Sequence, residues 1–157
     1  MDEYIFFVEK SFSRALKEVA GTMAGFDLVE AFEGDLGEEQ QDKTKVSGVM
    51  TLKGIRNAMM VVTVSKDSAF VLVSYMTGIE PHELKEEDLF DGIAELANMV
   101  SGRAKALLAD SGYQYDLTFP FVITGENHYI VHKGKVNKTK KRFAAGVIDI
   151  EMEVFIL

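Results

Sequence analysis

The sequence contains no cysteine and no tryptophan, and its 157 residues include only two prolines and three histidines. Without cysteine, the chain can form neither a disulfide scaffold nor a thiolate metal site, and it has no thiol nucleophile. No apolar run approaches the roughly 18–20 residues of a membrane-spanning helix. The first residues, Met1-Asp2-Glu3, are acidic where a secretory signal is basic. We therefore expect a cytoplasmic protein with no membrane segment.

The residues that are present are typical of a globular protein. Hydrophobic residues make up 47% of the chain and charged residues 27%, and the length suits a single domain over residues 1–157. The 25 acidic residues outnumber the 17 basic ones and give a net charge of −8. Because a nucleic-acid backbone would be repelled by this charge, we expect no nucleic-acid partner.

Hydrophobic periodicity predicts an α+β fold. The predicted helices span about Glu3–Ala20, Ser65–Thr77 and Lys85–Ala109, and the predicted strands span Val46–Leu52, Ala58–Val64, Thr118–Thr124, His128–His132 and Ala145–Leu157. Hairpin strands are grouped apart from the helices along the chain. This order favours a mostly antiparallel sheet packed against two long helices and a shorter one.

Two charged segments are interpreted as exposed loops. The first is acidic and spans Glu30–Lys45, and the second, Lys133–Arg142, contains six basic residues. The basic segment could bind an acidic partner, but solvation of a loop between strands is the favoured interpretation. His128 and His132 are predicted to face the same side of a strand, and we interpret them as structural residues rather than metal ligands.

The helix predicted over Lys85–Ala109 carries the most informative pattern. Its apolar stripe consists of Leu89, Ile93, Leu96, Val100, Ala104 and Leu107. At about 100° per residue, the opposite face consists of residues within about 40° of Asp91, namely Asp91, Glu95, Asn98, Gly102, Lys105 and Ala109. Asparagine is a poor helix former, and glycine costs about 1 kcal/mol relative to alanine. An exposed Glu and Asn at this spacing are usually ordinary surface residues, and these costs to the helix only slightly favour a surface kept for a partner.

The stretch Ile93–Arg103 contains Glu95-Leu96, Asn98-Met99 and Gly102 at fixed spacing. This Glu-Leu-x-Asn-Met-x-x-Gly pattern resembles the signature of the CheC/CheX/FliY family of response-regulator phosphatases. The resemblance covers most of the chain and is strongest over residues 46–105. Walker-type, dinucleotide-binding, zincin and nucleophile-elbow motifs are all absent from the sequence.

The resemblance implies a CheC/CheX-like fold and a hydrolase that acts on the aspartyl phosphate of a CheY-type receiver. Asn98 would orient the attacking water, and Glu95 would pair with a lysine of the regulator. We expect Asp91, Gly102 and Lys105, on the same face, to contact this partner. The resemblance also implies that the chain has no metal or cofactor of its own, and that the bound regulator supplies Mg²⁺.

Two-site members of the family carry a second Glu-x-x-Asn on the first helix, where this chain reads Glu9-Lys10-Ser11-Phe12. The chain therefore resembles the single-site, CheX-type members, which implies a homodimer, and an exposed final strand would suit one. Two alternatives stay open. The domain could be a non-catalytic adaptor that docks a receiver, or a structural domain whose Gly102 face contacts a second copy.

Overall fold

The computed structural model describes residues 2–31 and 43–157. These residues form three α-helices, α1 (Glu3–Ala24), α2 (Lys66–Thr77) and α3 (Glu86–Ala109). They also form seven strands, β1 (Val29–Ala31), β2 (Thr44–Gly54), β3 (Ala58–Ser65), β4 (Tyr115–Leu117), β5 (Phe121–Glu126), β6 (Asn137–Ala145) and β7 (Ile148–Ile156). A single 3₁₀ turn at Pro81–Glu83 precedes α3 in this part of the chain.

The seven strands belong to one antiparallel sheet with the order β1-β6-β7-β3-β2. The outer side of β2 pairs with β5 along Thr44–Val49 and with β4 along Leu52–Gly54. All three helices contact the sheet, and α3 contacts β2, α1 and α2. The predicted α+β class, with a mostly antiparallel sheet against two long helices and a shorter one, is confirmed.

The helices cover the face of the sheet toward which alternate apolar residues of the strands point. In β2, β3 and β7 alternate residues face one core that they share with the helices, as the buried Met50, Met60 and Ile150 do. Phe12 of α1 and Leu96 of α3 are large contributions of the long helices to this core, and both are almost fully buried. Burial of these side chains is the main stabilising term for the fold.

The first helix is longer than predicted, since it continues to Ala24 instead of ending near Ala20. Gly21 lies inside the helix, and the chain leaves it at Gly25, whose φ of 72° is in the left-handed region. The backbone N–H of Gly25 donates to the carbonyl of Gly21. A glycine in this conformation satisfies the last carbonyls of a helix, so Gly25 ends α1 and Gly21 does not.

Between α3 and the final strand, the prediction was wrong in several places. His128–His132 is not a strand, and the first three residues of the segment Thr118–Thr124 have no regular secondary structure, since β5 begins at Phe121. His128 instead forms hydrogen bonds that hold the segment after β5 against the sheet. Its Nε2 lies 2.6 Å from the Ser47 hydroxyl, and its Nδ1 lies 3.1 Å from the Gly125 carbonyl. These hydrogen bonds agree with the interpretation of His128 as a structural residue.

The basic segment was also predicted wrongly as a loop, because most of it forms β6. Three of its cations pair with three acidic residues of the neighbouring β7. Lys138 lies 2.7 Å from Glu153 and Lys140 lies 3.5 Å from Glu151, while Arg142 pairs with Asp149. Glu153 is only 4% exposed. Cross-strand pairing of opposite charges therefore stabilises a strand that its composition alone disfavours.

Because the basic segment forms β6, the final strand is not at the edge of the sheet. The predicted final strand is confirmed as β7, but it lies between β3 and β6 and is almost entirely buried, so its expected exposure is wrong. The outer strands at this end of the sheet are β1 and β6. Glu33, Asp35, Glu38, Glu39 and Asp42 of the acidic segment lie outside the described residues, and the described ends of that segment join β1 and β2.

Candidate functional site

The long helix α3 brings the predicted site residues together on one face. Asp91 and Glu95 are exposed, whereas Asn98, Gly102 and Lys105 are partly exposed. The opposite face is buried, as its apolar stripe predicted, with the exception of its last member. Leu108 is fully buried, while Leu107 is only partly buried at the edge of the core. Because the helix is continuous, Glu95 and Asn98 are neighbours one turn apart on an accessible surface.

The side chains of Glu95 and Asn98 have no hydrogen-bond or ion-pair partner among the described residues. Within residues 2–31 and 43–157, no side chain or backbone group forms a hydrogen bond or an ion pair with the carboxylate of Glu95 or the amide of Asn98. An amide offers two N–H donors and one carbonyl acceptor, and a carboxylate accepts from an ammonium group. Both side chains are therefore available to a molecule that approaches α3 from solvent.

Hydrogen bonds fix α3 on either side of this face. At its N-terminus, the Asp88 carboxylate caps the helix by accepting from the backbone N–H of Lys85 at 2.8 Å, and Glu86 accepts from Lys66 of α2 at 3.5 Å. Near its C-terminus, Arg103 Nε donates to Glu18 of α1 at 2.5 Å, and Glu18 also accepts from Arg14. The two guanidinium groups, Arg103 first, lower the pKa of Glu18 below its ordinary value. The site thus lies between two anchored ends of one helix.

Two glycines lie behind the turn that carries Glu95, and the sequence interpretation missed both. A Cβ on Gly48 of β2 would lie 2.8 Å from the Ile93 carbonyl oxygen. A Cβ on Gly92 would lie 2.5 Å from a methyl group of Val73 in α2. Glycine within a strand or a helix signals such an approach of neighbouring backbone or side chains, and this signal is present in the sequence.

The third glycine behaves differently. The atom nearest to a Cβ built on Gly102 is Leu117 Cδ1 of β4, at 4.0 Å. This is ordinary van der Waals contact, so Gly102 leaves a low surface bordered by β4. Two further residues predicted for partner contact, Asp91 and Lys105, lie on the same side of α3. The accessible surface is therefore polar along the helix and apolar where β4 meets Gly102.

No metal-binding cluster accompanies the site in the part of the chain that the structure describes. This part contains no group of three or more His, Cys, Asp or Glu residues able to hold a metal ion. None of the described helices is long and apolar enough to cross a membrane. What the α3 face offers chemically is an amide and a carboxylate at fixed separation, which can position a reactant that another molecule supplies.

Comparison with solved structures identifies the fold. The chemotaxis protein CheX of Vibrio vulnificus is 28% identical, with 96% of each chain covered and a TM-score of 0.81. A CheC-like superfamily protein of Shewanella sp. PV-4 is 29% identical, with 100% of this chain and 99% of that chain covered and a TM-score of 0.82. These similarities cover nearly the whole chain, so they include α3 together with the sheet on which it packs.

A structure of the CheX–CheY–BeF₃–Mg²⁺ complex of Borrelia burgdorferi shares the fold at 21% identity, with 94% of this chain and 96% of that chain covered and a TM-score of 0.73. No curated protein matches the sequence. The family model described as chemotaxis phosphatase CheX matches residues 46–144, which is more than half of the chain and includes the whole α3 face. The chain belongs to the CheX family of chemotaxis phosphatases.

Proposed function

We propose that the protein hydrolyses the aspartyl phosphate of a phosphorylated, CheY-type response regulator in the cytoplasm. The observation that carries this proposal is the pair formed by Glu95 and Asn98. Both side chains are accessible, without partners among the described residues, and one turn apart on α3. They lie within the residues matched by a chemotaxis phosphatase model. A polar pair in this arrangement suits docking into a pocket of another protein.

In this mechanism Asn98 enters the receiver and holds a water molecule in line with the acyl phosphate. The amide carbonyl accepts from the water while the amide N–H donates to an oxygen, so one orientation is fixed without any titration of the group. The water oxygen then forms a bond to phosphorus as the bond to the aspartyl oxygen breaks. The products are a free aspartate on the receiver and inorganic phosphate. Positioning of this kind suits phosphoryl transfer, where charge compensation and alignment dominate.

Glu95 would pair with a lysine of the receiver and fix the docking geometry. Asp91, Gly102 and Lys105 would contact the same partner at the margins of the site. Mg²⁺ would be held by the receiver, and this chain would need no cofactor of its own. The Borrelia burgdorferi complex, in which CheX is accompanied by CheY, BeF₃ and Mg²⁺, supports this division of roles.

The direct test is the decay of the acyl phosphate on candidate CheY-type receivers with Mg²⁺ present. Each receiver is phosphorylated with acetyl phosphate, and decay is followed with and without this protein. We expect faster decay of at least one receiver. Binding to a phosphorylated receiver without faster decay would refute the phosphatase and support the adaptor alternative. If no receiver is bound, both assignments fail.

Removal of the Glu95 carboxylate should weaken binding. We expect Glu95→Ala to raise the Kd for a beryllofluoride-loaded receiver about tenfold, because one charged hydrogen bond of about 1.5 kcal/mol is lost. Isothermal titration calorimetry would measure this change. Glu80→Ala, which removes an exposed carboxylate outside α3, is the matched control and should leave Kd unchanged. Equal affinities of the wild type and Glu95→Ala would refute the pairing role.

We further propose that the protein is a homodimer in which β5 pairs with a second copy. Among the described strands, β5 pairs only with β2, so its outer edge has unpaired backbone groups. Large apolar side chains lie at the start of this strand, since Phe121 is 50% exposed and Phe119, two residues before it, is 91% exposed. A free, apolar strand edge is a template for pairing with another chain. The second copy offers the same edge in self-complementary form.

Charge on the β5 edge should separate such a dimer. We expect the wild type to sediment as a dimer and Phe121→Lys to shift the equilibrium toward the monomer in analytical ultracentrifugation, because a lysine on the paired edge would be desolvated or repelled by its copy. Ile55→Lys, at a fully exposed apolar position in the β2–β3 turn, is the control and should stay dimeric. A monomeric wild type would refute the proposal.

A further inference from the structure

Two glycines behind the site determine where the turn of α3 carrying Glu95 and Asn98 lies. We propose that Gly48 and Gly92 are positioning residues for this pair, an inference that rests on the proposed function. Neither glycine contacts the accessible face. Both permit α3 to approach its neighbours more closely than a residue with a side chain would allow.

Gly48 determines the height of the turn above the sheet. It belongs to β2 and faces the helices in the same alternation as Val46 and Met50. A Cβ at this position would lie 2.8 Å from the Ile93 carbonyl oxygen and 3.1 Å from Ala97 Cβ. Real Cβ atoms essentially never lie below 3.0 Å from such an atom. The backbone of α3 therefore rests directly on β2, at the turn whose outer side holds Glu95.

Gly92 determines the lateral position of the same turn. Its missing Cβ would lie 2.5 Å and 2.9 Å from the two methyl groups of Val73 in α2. Valine is stiff about χ1, so these methyl groups have little freedom to move aside. Gly92 and Ile93 are consecutive, which means that α3 is packed against α2 and against β2 at one point.

Because both ends of α3 are held in place, these close contacts determine the positions of Glu95 and Asn98. Near the N-terminus, the Lys66–Glu86 ion pair holds α3 to α2, and Leu89 is buried in the core. The Arg103–Glu18 ion pair holds the C-terminal half to α1. An added methyl group behind Ile93 would therefore bend the helix locally instead of moving it as a rigid body. The bend would lie within the turn between Glu95 and Asn98 and would change their relative positions.

Catalysis should be more sensitive to this change than binding. A water in line with phosphorus depends on the position of the Asn98 amide to within a fraction of an ångström, and a 1 Å error can cost about 10²-fold in rate. Binding of the receiver is spread over several contacts of the helix face. A positioning role for the glycines thus predicts a loss in the maximal rate with little change in affinity.

The experiment compares Gly48→Ala with Gly54→Ala. Gly54 also belongs to β2, and its missing Cβ would lie 2.8 Å from the Gln114 carbonyl oxygen, but its close neighbours are not in α3. The two variants thus introduce similar crowding, and only Gly48→Ala introduces it behind the site. Three quantities are measured: the maximal rate of acyl-phosphate decay at saturating receiver, the Kd for the beryllofluoride-loaded receiver, and the NMR signals of the Asn98 side-chain amide in the free protein.

We expect Gly48→Ala to lower the maximal rate about tenfold or more, with Kd changed less than about threefold and the Asn98 signals shifted. Gly54→Ala should retain the wild-type rate and signals. Equal losses in both variants, or a wild-type rate in folded Gly48→Ala, would overturn the inference. If the wild type does not accelerate decay of any receiver, the proposed function fails, and unshifted Asn98 signals in Gly48→Ala would separately refute the positional role.

Gly92→Ala gives an independent test with its own rescue. This variant should also lower the maximal rate, and the double variant Gly92→Ala/Val73→Ala should recover most of it, because the methyl groups that crowd the new Cβ are removed. Val73→Ala alone serves as the control for the lost volume in α2. Failure of the double variant to recover activity to the level that Val73→Ala retains would contradict the inference for Gly92.

Discussion

Asn98→Ala should lower the maximal rate of acyl-phosphate hydrolysis by about 10²-fold, the loss typical of one preorganised hydrogen-bonding group at a transition state. The reason is the loss of the only group proposed to orient the attacking water. Since Asn98 is partly exposed and has no hydrogen-bond partner among the described residues, its removal should leave the fold intact. The rate is measured with a phosphorylated receiver at saturation, and circular dichroism monitors the fold.

Two further variants make the Asn98 result specific. Asn98→Asp keeps the size of the side chain but replaces the N–H donors with a negative charge, so we expect it to be as inactive as Asn98→Ala. Asn137→Ala removes an exposed asparagine from β6 and should retain full activity. A folded Asn98→Ala variant with the wild-type rate would remove Asn98 from the mechanism.

Leu96→Ala should destabilise the protein by about 3 kcal/mol, because it leaves a cavity in the core. Leu96 is 1% exposed and belongs to the core shared by α3 and the sheet. It directly follows Glu95 in the sequence but lies on the buried side of the helix. Urea unfolding followed by circular dichroism would measure the change in the free energy of unfolding.

The neighbouring residue provides the control for this prediction. Glu95→Ala should change the free energy of unfolding by less than about 0.5 kcal/mol, since Glu95 is exposed and has no partner among the described residues. A large destabilisation by Glu95→Ala would show that its carboxylate supports the fold. A Leu96→Ala variant as stable as the wild type would contradict the assignment of the buried face of α3.

The long helix and its exposed face could be predicted because both depend on local periodicity. Glu95 and Asn98 differ in phase from Leu96 by roughly 100° and 160° on a helical wheel, and α3 keeps a regular apolar pattern along its length. The hairpin of β2 and β3 is predictable for a similar reason, as alternating apolar residues flank a short turn.

Other features could not be predicted because they depend on partners distant in the sequence. Lys138 and Lys140 disfavour a strand until Glu153 and Glu151 lie beside them in β7. The close approach of Gly48 to α3 can be inferred only once the position of the helix over β2 is known. The family resemblance supplied the catalytic interpretation of Asn98, which spacing on the helix alone did not distinguish from an ordinary surface residue.

The charge pairs between β6 and β7 have a consequence for alignment of the chain during folding. A slip of one residue between these strands would reverse the faces, and the apolar residues of β7 forbid it. A slip of two residues would keep every face correct, so hydrophobicity alone does not exclude it. The ion pairs are diagonal, since Glu153 lies directly opposite Lys140 but pairs with Lys138, so a slip of two residues in either direction would still leave a cation beside this buried carboxylate. The charges thus protect Glu153 while the strands align, and the two-residue turn at Gly146 and Val147, between the paired Ala145 and Ile148, sets the final register.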